Sequence, residues 1–509
     1  MPAPKNRKRK RDNKFSLVHN LPDSLIQLIW EFIPIYDGIM FSTCTKKLHS
    51  ILSMETNAIR RIRDVVNIDG CNLYKQLHLI GSTRKINNLR FQLDRKINSK
   101  AHESFNFIKK YLDVKTLTFK DPINGITLKR LIESFSNNNI EIIYFCNALG
   151  DYDHCTQQKK IKNTYNRTLA INELSKVYTT HIYIKEEYIN PVTLKSLFET
   201  IKQMKGLNSI HIHNTYIGDD NINYFSQLSI REITATDCYL SEPQVRLMKP
   251  LLANVTTLNL GYNNLECGGV NTLFKSLSLQ KGNLSSLTLE YTFQYGNEEE
   301  EIFDITAFKS FCRCQPSLTS LNLSGNRITD EFILDNKNSI ECLHKLEKLE
   351  LGSNLICENG VHKLSRISNK LDKLDLNGNR IEQIKLTKFS DRMFNYISEL
   401  NLGNIPVKNE CLIDIANYAY YRYAFQRLIH LGMICCDLVD SSIYNIFEIL
   451  RSCTKLLLLD LEENCLTDYA YTYFCQQLEG ITDRKICIIL TDNYISTSRD
   501  APAPHSIIC

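Results

Sequence analysis

The sequence predicts an α/β solenoid, in which short parallel strands line a concave face and helices cover the convex side. The first observation is a recurring pattern, LxxLxLxxNxL, which appears as VTTLNLGYNNL from Val255 and as LDKLDLNGNRI from Leu371. The second is the helical spacing of apolar residues after a copy, as in GGVNTLFKSL at 268–277. The third is the recurrence itself, because a fixed period of ~20–50 residues is typical of stacked repeat units.

The copies of the pattern differ in strength along the chain. Strong copies begin at Val255, Leu318, Leu346, Leu371, Ile397, Leu428 and Leu456. Weaker copies begin at Leu207, Ile230 and Leu284 and after Thr179, with fainter ones near Ile86, Val114 and Ile140. A closing strand is predicted from Ile486, and the acidic insertion at 295–304 is expected to be a solvated loop. We count roughly thirteen to fifteen units.

Each copy assigns roles to its residues. The apolar residues of LxL alternate along a short strand, so their side chains point inward together. The Asn near the end of the pattern is expected to be buried, where its amide can bind backbone groups of neighbouring coils and form a ladder. Asparagine fills this position at Asn263, Asn326, Asn354, Asn379, Asn464 and Asn493. The substitutes are Thr215, Cys238, Thr292 and Cys436, whereas Ile405 offers no side-chain hydrogen bond there.

A strand and a helix within ~28 residues resemble the ribonuclease-inhibitor-like class of leucine-rich repeats. Wide helices packed behind narrow strands bend such a stack into a horseshoe, with the strands on its concave side. The resemblance covers most of the chain, residues 86–496. It implies a fold and a binding surface, and it implies no particular chemistry.

A helical segment of different character precedes the repeats, LPDSLIQLIWEFIPIYDGIMFSTCTKKLHSIL at 21–52. Pro22 suits the first turn of a helix, and Leu25, Ile29 and Phe32 follow on one stripe. Pro34 ends this helix, and two more short helices are expected before residue 52. Three such helices are too small to hold a core of their own, so part of their apolar surface needs a partner.

The order of residues in this segment resembles an F-box: a Leu-Pro pair, an apolar helix, Pro34, Asp37 and then FSTCTKKL. F-box proteins bind a Skp-type adaptor and thereby join cullin-containing SCF ubiquitin ligases. By this resemblance the adaptor-binding residues are Leu21, Pro22, Ile29, Ile33, Pro34 and Phe41. Leu48 stands where many members of the family carry Trp. The alternative is that the helices only cap the open edge of the first repeat.

Much of the excess positive charge lies near the N-terminus. The net charge is only +5, and the cluster KNRKRKRDNK occupies 5–14. Its residues Lys5, Arg7, Lys8, Arg9, Lys10 and Arg11 resemble a nuclear-import signal, and a solubilising tail is the alternative. A nearly neutral body argues against a nucleic-acid coat. Because no signal peptide or membrane-length apolar run occurs and the 18 cysteines are scattered, we predict a reduced protein of the cytoplasm or nucleus.

The outward strand positions of the C-terminal repeats are mainly acidic. The candidate target-binding residues are Tyr262, Glu290, Tyr291, Glu350, Asp375, Glu399, Asp460, Glu462 and Glu463, with Asp492 beyond them. Lys348 and Lys373 are the cations in this stripe. Such a stripe would attract a basic partner, and its tyrosines would act as aromatic anchors. The alternative is that polar strand residues only keep an exposed sheet soluble.

Two arrangements offer metal-ligand residues, and neither is complete. His211 and His213 share an outward strand face, with His181 and Asp237 on adjoining coils, and DYDHC at 151–155 lacks metal-motif spacing. The sequence contains no GxSxG, GxxxxGK[ST] or HExxH motif. The Ran GTPase activators of this repeat class usually carry a long acidic tail, whereas this sequence ends in STSRDAPAPHSIIC. No catalytic residue, metal or cofactor is therefore predicted.

Five segments and one function are predicted. The segments are a disordered basic tail at 1–15, an F-box-like helical segment at 16–59, a helical transition at 60–85, repeats at 86–496 and a C-terminal tail at 497–509. The predicted function is target recognition for an SCF-type ubiquitin ligase, with a Skp-type adaptor on the N-terminal segment and a protein target on the concave face. A scaffold or inhibitor with merely capping N-terminal helices is the alternative.

Overall fold

The chain divides into two compact units, residues 1–207 and 208–509. A computed structural model describes residues 62–68, 86–92, 116–120, 125–135, 140–149, 157–186, 189–280, 282–296, 302–367, 370–381, 394–407, 409–422, 425–496 and 505–509. In the portion of the chain that it describes, no helix has both the length and the apolar character needed to span a bilayer.

The first unit contains a parallel sheet, and in the described residues helices follow its third, fourth and fifth strands. Its strands are β1 (Ile62–Ile68), β2 (Ile86–Gln92), β3 (Thr116–Lys120), β4 (Ile142–Cys146) and β5 (His181–Lys185). Its helices are α1 (Gly125–Phe135), α2 (Gln157–Asn172) and α3 (Pro191–Ile201), with a 3-10 turn at Glu173–Lys176. Each strand pairs with the next in parallel, and Phe119 and Phe145 stack in the core between β3 and β4 at 5.4 Å.

For residues 62–68 the start of the sheet corrects the prediction of a helical transition at 60–85, whereas 60–61 and 69–85 lie outside the described residues. The structure places strand β1 at Ile62–Ile68, paired in parallel with β2. Its sequence, IRDVVNI, is rich in β-branched residues, which favour extended backbone. The three faint repeat copies near Ile86, Val114 and Ile140 are confirmed, because each contributes a strand, β2, β3 or β4.

The second unit is a leucine-rich-repeat solenoid of short parallel strands backed by helices. Its strands are β6 (Ser209–His213), β7 (Glu232–Thr236), β8 (Thr257–Asn259), β9 (Ser286–Thr288), β10 (Ser320–Asn322), β11 (Lys348–Glu350), β12 (Lys373–Asp375), β13 (Glu399–Asn401), β14 (His430–Gly432), β15 (Leu458–Asp460), β16 (Cys487–Ile489) and β17 (Ser506–Ile508). Its helices are α4 (Asp219–Phe225), α5 (Glu242–Leu247), α6 (Glu266–Ser278), α7 (Ile305–Cys314), α8 (Asp330–Glu341), α9 (Glu358–Leu364), α10 (Asn409–Arg422), α11 (Ile443–Ser452) and α12 (Asp468–Leu478), with 3-10 turns at Leu251–Asn254 and Asp440–Ser442.

The middle residue of each short strand from β8 to β16 packs into the core of the second unit. Leu258, Leu287 and Leu321 pair in register on neighbouring strands, and each is fully buried. The residues on either side of them point away from the core and are at least partly exposed in most of these strands. Behind the strands, the ring of Phe274 on α6 packs against Phe311 on α7 at 4.9 Å. The sequence pattern therefore separates a buried apolar layer from an outward row of variable residues.

The predicted asparagine ladder is confirmed. The side-chain carbonyl of Asn354 accepts hydrogen bonds from the backbone N–H groups of Asn326 and Ile328, at 2.9 and 3.0 Å. Its amide donates to the carbonyls of Leu323 and Leu351, at 3.1 and 2.9 Å. Each such side chain thus joins two successive coils and satisfies buried backbone groups in both. The same arrangement occurs at Asn263, Asn326, Asn379, Asn464 and Asn493.

The substitutes in the ladder keep only part of this network. The Thr292 hydroxyl donates to the Leu289 carbonyl at 2.9 Å, within its own coil. The Cys436 thiol donates to the Leu402 carbonyl of the preceding coil at 3.2 Å. Cys238 and Thr215 likewise donate to backbone carbonyls, whereas the apolar side chain of Ile405 is simply buried.

For residues 505–509 the end of the sheet corrects the prediction of a C-terminal tail at 497–509, whereas 497–504 lie outside the described residues. Residues Ser506–Ile508 form strand β17, which pairs in parallel with β16. His505 fixes this strand, because its Nδ1 accepts a hydrogen bond from the Ile486 N–H at 3.1 Å and its Nε2 donates to the Ile481 carbonyl at 2.8 Å. The closing strand expected from Ile486 is therefore followed by one more strand.

Candidate functional site

The candidate site lies on the strand face of the second unit. By strand face we mean the outward residues of β8–β16 and the turn that follows each strand from β7 to β16. One outward row runs through Thr257, Ser286, Ser320, Lys348, Lys373, Glu399, His430, Leu458 and Cys487. The second row runs through Asn259, Thr288, Asn322, Glu350, Asp375, Asn401, Gly432, Asp460 and Ile489. Parallel pairing brings the predicted residues of neighbouring repeats side by side.

Three of the predicted acidic residues meet around one lysine in the middle of this face. The Lys373 Nζ lies 3.2 Å from Glu350 Oε1 and 3.9 Å from Glu399 Oε2. Burial lowers the pKa of Lys373, but the hydrogen bond to Glu350 and the carboxylates of Glu350, Glu399 and Asp375 outweigh it and raise the pKa overall. Lys373 thus stays protonated and offsets part of the acidic charge at this point of the strand face.

Asp375 and Asp460 also have a structural role. Asp375 Oδ1 accepts from the Asn377 N–H at 2.9 Å, and Asp460 Oδ1 accepts from the Glu462 N–H at 3.2 Å. The asparagines at the equivalent place in other coils, Asn259, Asn322 and Asn401, bind the backbone two residues on in the same way. Asp or Asn therefore stabilises the turn where it occurs at this place, although other coils carry different residues there. Burial raises the pKa of Asp375, and its hydrogen bonds to Asn377 and Asn401 oppose that shift.

The acidic residues at the C-terminal end of the strand face stand apart from the lysine. Glu462 accepts a hydrogen bond from the Thr491 hydroxyl at 2.8 Å, whereas Glu463 and Asp492 are exposed. Within the described ranges, no ion pair involves Asp460, Glu462, Glu463 or Asp492. Their negative charge is thus open to a partner in solution.

The two predicted aromatic residues form a stack at the other end of this face. The rings of Tyr262 and Tyr291 lie 5.3 Å apart with 24° between their planes, and their side chains are 52% and 47% exposed. The Tyr262 hydroxyl donates to Glu290 Oε1 at 2.8 Å. This hydrogen bond is the main cause that raises the pKa of Tyr262 to about 12. We call Tyr262 and Tyr291 the tyrosine stack; the structure brings them together with Glu290.

A glycine in the next coil supports the stack. Gly325 has φ +72, and a Cβ atom built there would lie 2.5 Å from Cδ1 of Tyr291. Only a residue without a side chain lets the Tyr291 ring lie at this place, and glycine also adopts the left-handed backbone without strain. Tyr291 is therefore held between Tyr262 and the backbone of Gly325.

A left-handed residue directly before the ladder position is the feature that the sequence analysis missed. It occurs in successive coils of the second unit, at Asn214, Asp237, Tyr262, Tyr291, Gly325, Ser353, Gly378, Asn404, Cys435, Glu463 and Asp492. The signal was present in the sequence as a frequent Gly, Asn or Asp before the ladder residue, as these types tolerate positive φ best. The consequence is that the side chains of Tyr262 and Tyr291 leave the turn at equivalent places.

The histidines considered for zinc binding are hydrogen-bonded to hydroxyl groups. The Nδ1 atoms of His211 and His213 lie 3.0 and 2.5 Å from the hydroxyls of Thr234 and Thr236. The Nδ1 of His181 lies 2.8 Å from the Thr180 hydroxyl. No group of three or more His, Cys, Asp or Glu side chains suited to a metal occurs in the parts of the chain that are described. DYDHC at 151–155 lies outside those parts.

The predicted N-terminal site residues also lie outside the described residues. They are the adaptor-binding set of Leu21, Pro22, Ile29, Ile33, Pro34 and Phe41, and the import set of Lys5, Arg7, Lys8, Arg9, Lys10 and Arg11. Both assignments stay predictions from the sequence.

Comparison with known proteins shows similarity only among solved structures. No protein-family model and no curated protein sequence matches the chain. An internalin from Listeria monocytogenes is similar over 78% of this chain and 89% of its own, with 15% identity and a TM-score of 0.38. A TLR13–ssRNA13 complex is similar over 87% of this chain and 60% of that chain, with 14% identity and a TM-score of 0.34. The assignment of the leucine-rich-repeat fold rests on the strand, helix and ladder geometry of the chain itself.

Proposed function

We propose that the protein is the substrate-recognition subunit of an SCF-type ubiquitin ligase and holds a target protein on the strand face of the second unit. The observation that carries the recognition part is the in-register array of exposed charged and aromatic side chains on that face. A rigid sheet that presents variable side chains at fixed spacing suits recognition of a folded or extended protein. The ligase part rests on the F-box-like residues 21–52.

In this function the chain brings the target close to the ubiquitin-conjugating enzyme and contributes no catalytic side chain. The adaptor and cullin complex would hold a loaded ubiquitin-conjugating enzyme, and the strand face would hold the target nearby. Tethering raises the effective concentration of target lysines at that enzyme without any new contact. Because the basic cluster at 5–11 resembles a nuclear-import signal, our proposal includes the nucleus as well as the cytoplasm.

The adaptor prediction is tested by co-purification of the full chain with a Skp-type adaptor. We expect wild type to retain the adaptor, and the triple variant Leu21→Ala/Pro22→Ala/Ile29→Ala to lose it, because these substitutions remove the apolar contact surface. A Tyr262→Ala/Tyr291→Ala variant is the control, since it alters the strand face alone and should bind the adaptor like wild type. Circular dichroism of all three proteins checks that each is folded.

The outcome decides between the proposal and its alternative. If wild type is folded and does not bind the adaptor, the ligase proposal is wrong. Residues 16–59 are then best explained as a helical cap, and the protein as a scaffold or inhibitor that uses the same strand face. Strand β1 at Ile62–Ile68 begins shortly after this segment, so an edge that needs covering lies close to it in the chain.

A further inference from the structure

We propose that the strand face carries a binding site for an arginine side chain of the partner protein, formed by the ring of Tyr262 and the carboxylates of Asp237 and Glu290. The inference rests on the proposed recognition function of the strand face, and it specifies which side chain of the partner binds at one end of this face. It follows from the order of residues in three neighbouring coils and from the contacts of the tyrosine stack.

The first step concerns the free face of Tyr262. One side of its ring is covered by Tyr291 at 5.3 Å, and Tyr291 in turn lies on Gly325. Half of the Tyr262 side chain is nevertheless exposed, at 52%. The other side of the ring faces the preceding coil, in which the equivalent left-handed residue is Asp237. Asp237 is shorter than tyrosine, so it leaves room over the ring.

The second step concerns the acidic residues in the coils before and after Tyr262. The Asp237 N–H donates to the Gly261 carbonyl at 3.2 Å, and the Tyr262 N–H donates to the Glu290 carbonyl at 2.7 Å. These bonds hold three successive coils at the spacing of paired strands, ~4.8 Å each. Asp237 therefore precedes the ring by one coil and Glu290 follows it by one coil. Among the contacts of the described residues, no ion pair involves either carboxylate.

The third step identifies the ligand as a guanidinium group. A planar cation stacks on a tyrosine ring by the cation–π interaction, and its edge donates paired hydrogen bonds to a carboxylate. Glu290 Oε1 already accepts from the Tyr262 hydroxyl, which leaves Oε2 for a ligand. The raised pKa of Tyr262 keeps that hydroxyl protonated at neutral pH. Lysine provides the charge without the plane, and a phosphate would be repelled by both carboxylates.

The test is direct binding of short labelled peptides to the purified full-length chain, followed by fluorescence anisotropy at low salt. One peptide carries four arginines spaced by glycines, and two matched peptides carry lysine or the neutral isostere citrulline instead. We expect the arginine peptide to bind about 3-fold more tightly than the lysine peptide, because only the guanidinium combines stacking with a fork of donors. The citrulline peptide should show no binding.

Variants locate the site. Tyr262→Leu removes the ring and should weaken binding of the arginine peptide about 3-fold, whereas Tyr262→Phe keeps the ring, frees Glu290 and should bind at least as tightly as wild type. Glu290→Gln and Asp237→Asn should each weaken binding by a similar factor. Asp335→Asn is the matched control, because it removes one negative charge from an exposed acidic residue of helix α8, away from the strand face. It should change the affinity little.

Two outcomes would overturn the inference. Equal losses for Glu290→Gln and Asp335→Asn, with no loss for Tyr262→Leu, would mean diffuse attraction to acidic charge and no arginine site. Absence of binding to the arginine peptide by folded wild type would remove the site altogether. Neither outcome bears on the ligase proposal, which the adaptor experiment tests through a different part of the chain.

Discussion

At the scale of single residues, the backbone conformation of the strand-face turns decides where side chains go. Tyr262 and Tyr291 have φ values of 59 and 51, in the left-handed region that non-glycine residues rarely adopt. Both tyrosines lie directly before a ladder residue, where the turn of the coil requires a left-handed backbone. The hydrogen bonds of the ladder hold the backbone in this conformation. The cost of this conformation, about 1 kcal/mol per residue, is thus offset by neighbouring contacts.

Gly325 offers a prediction with an internal control. Gly325→Ala would place a Cβ 2.5 Å from the Tyr291 ring, and Gly296→Ala would meet no atom within 4 Å, although both glycines have similar φ values of +72 and +74. We expect Gly296→Ala to lower the free energy of unfolding by about 1 kcal/mol from backbone strain alone. Gly325→Ala should lower it by about 2–3 kcal/mol, because overpacking adds to that strain.

Urea unfolding of both variants measures the difference, and binding of the arginine peptide measures its effect on the site. Displacement of Tyr291 by the new methyl group should weaken peptide binding in Gly325→Ala and leave it unchanged in Gly296→Ala. Equal stability of the two variants would contradict the view that Tyr291 is held against Gly325.

The sequence permitted part of this site to be predicted. Tyr262, Tyr291 and Glu290 were selected as outward residues, and the structure brings them together. The stack and the hydrogen bond of Tyr262 to Glu290 could not be predicted, because they depend on a left-handed turn that a strand pattern alone does not specify. For the same reason Asp375 and Asp460 were expected to be purely outward acids, whereas each also binds the backbone of its turn.

At the scale of elements, the ladder adds buried side-chain hydrogen bonds to the backbone hydrogen bonds that join successive coils. Asn354 connects the coils of β10 and β11 through buried hydrogen bonds to backbone groups of both. Its removal would leave the N–H groups of Asn326 and Ile328 without this acceptor, at a cost of about 1–3 kcal/mol for each unsatisfied group. The carbonyls of Leu323 and Leu351 would keep hydrogen bonds from the neighbouring ladder asparagines. Successive coils contact only their neighbours, so the damage should be local at first.

We therefore predict that Asn354→Ala lowers the free energy of unfolding by about 3 kcal/mol, as measured by urea denaturation. Asn338→Ala is the control, because Asn338 is exposed on helix α8 and alanine is the better helix former, so its effect should stay within about 0.5 kcal/mol. A small effect of Asn354→Ala would mean that water or the backbone replaces the amide.

The elements missed from the sequence are the first and the last of the described strands. Strands β1 and β17 lack the full LxxLxLxxNxL pattern, and each pairs with one neighbouring strand in the described residues. A prediction that rests on that pattern therefore overlooks both strands, although backbone pairing is enough to add each of them to a sheet.

At the scale of the whole molecule, the distribution of charge and of thiols matters more than the totals. The chain carries a net charge of +5, yet the C-terminal half of the strand face is acidic. The cysteines in the described ranges are free, and Cys238, Cys312, Cys436 and Cys453 are buried in separate coils of the second unit. The reactivity of these thiols can therefore be used to follow unfolding at several places along the second unit.

The reactivities of the Cys435 and Cys436 thiols can be compared most directly, because the two residues are adjacent in sequence and one is exposed while the other is buried. Cys435 is exposed at a left-handed turn position, whereas Cys436 occupies the ladder, where burial raises its pKa from 9.0 to about 12. A higher pKa means less thiolate at a given pH, and only the thiolate reacts readily. We expect iodoacetamide at pH 8 to label Cys435 faster than Cys436 by on the order of 100-fold.

Mass spectrometry of the peptide that contains both cysteines measures both labelling rates under identical conditions. The same experiment in urea can include Cys238 and Cys453, because burial raises the pKa of each of these thiols to about 12 as well. Because each coil shares backbone hydrogen bonds with the next, we expect the buried thiols to become reactive over one range of urea. Reaction of Cys238 well before Cys453 would show that the coils open one after another. Equal labelling of Cys435 and Cys436 without urea would show that this coil opens in the native protein, and the strand face could then not hold its side chains at fixed spacing.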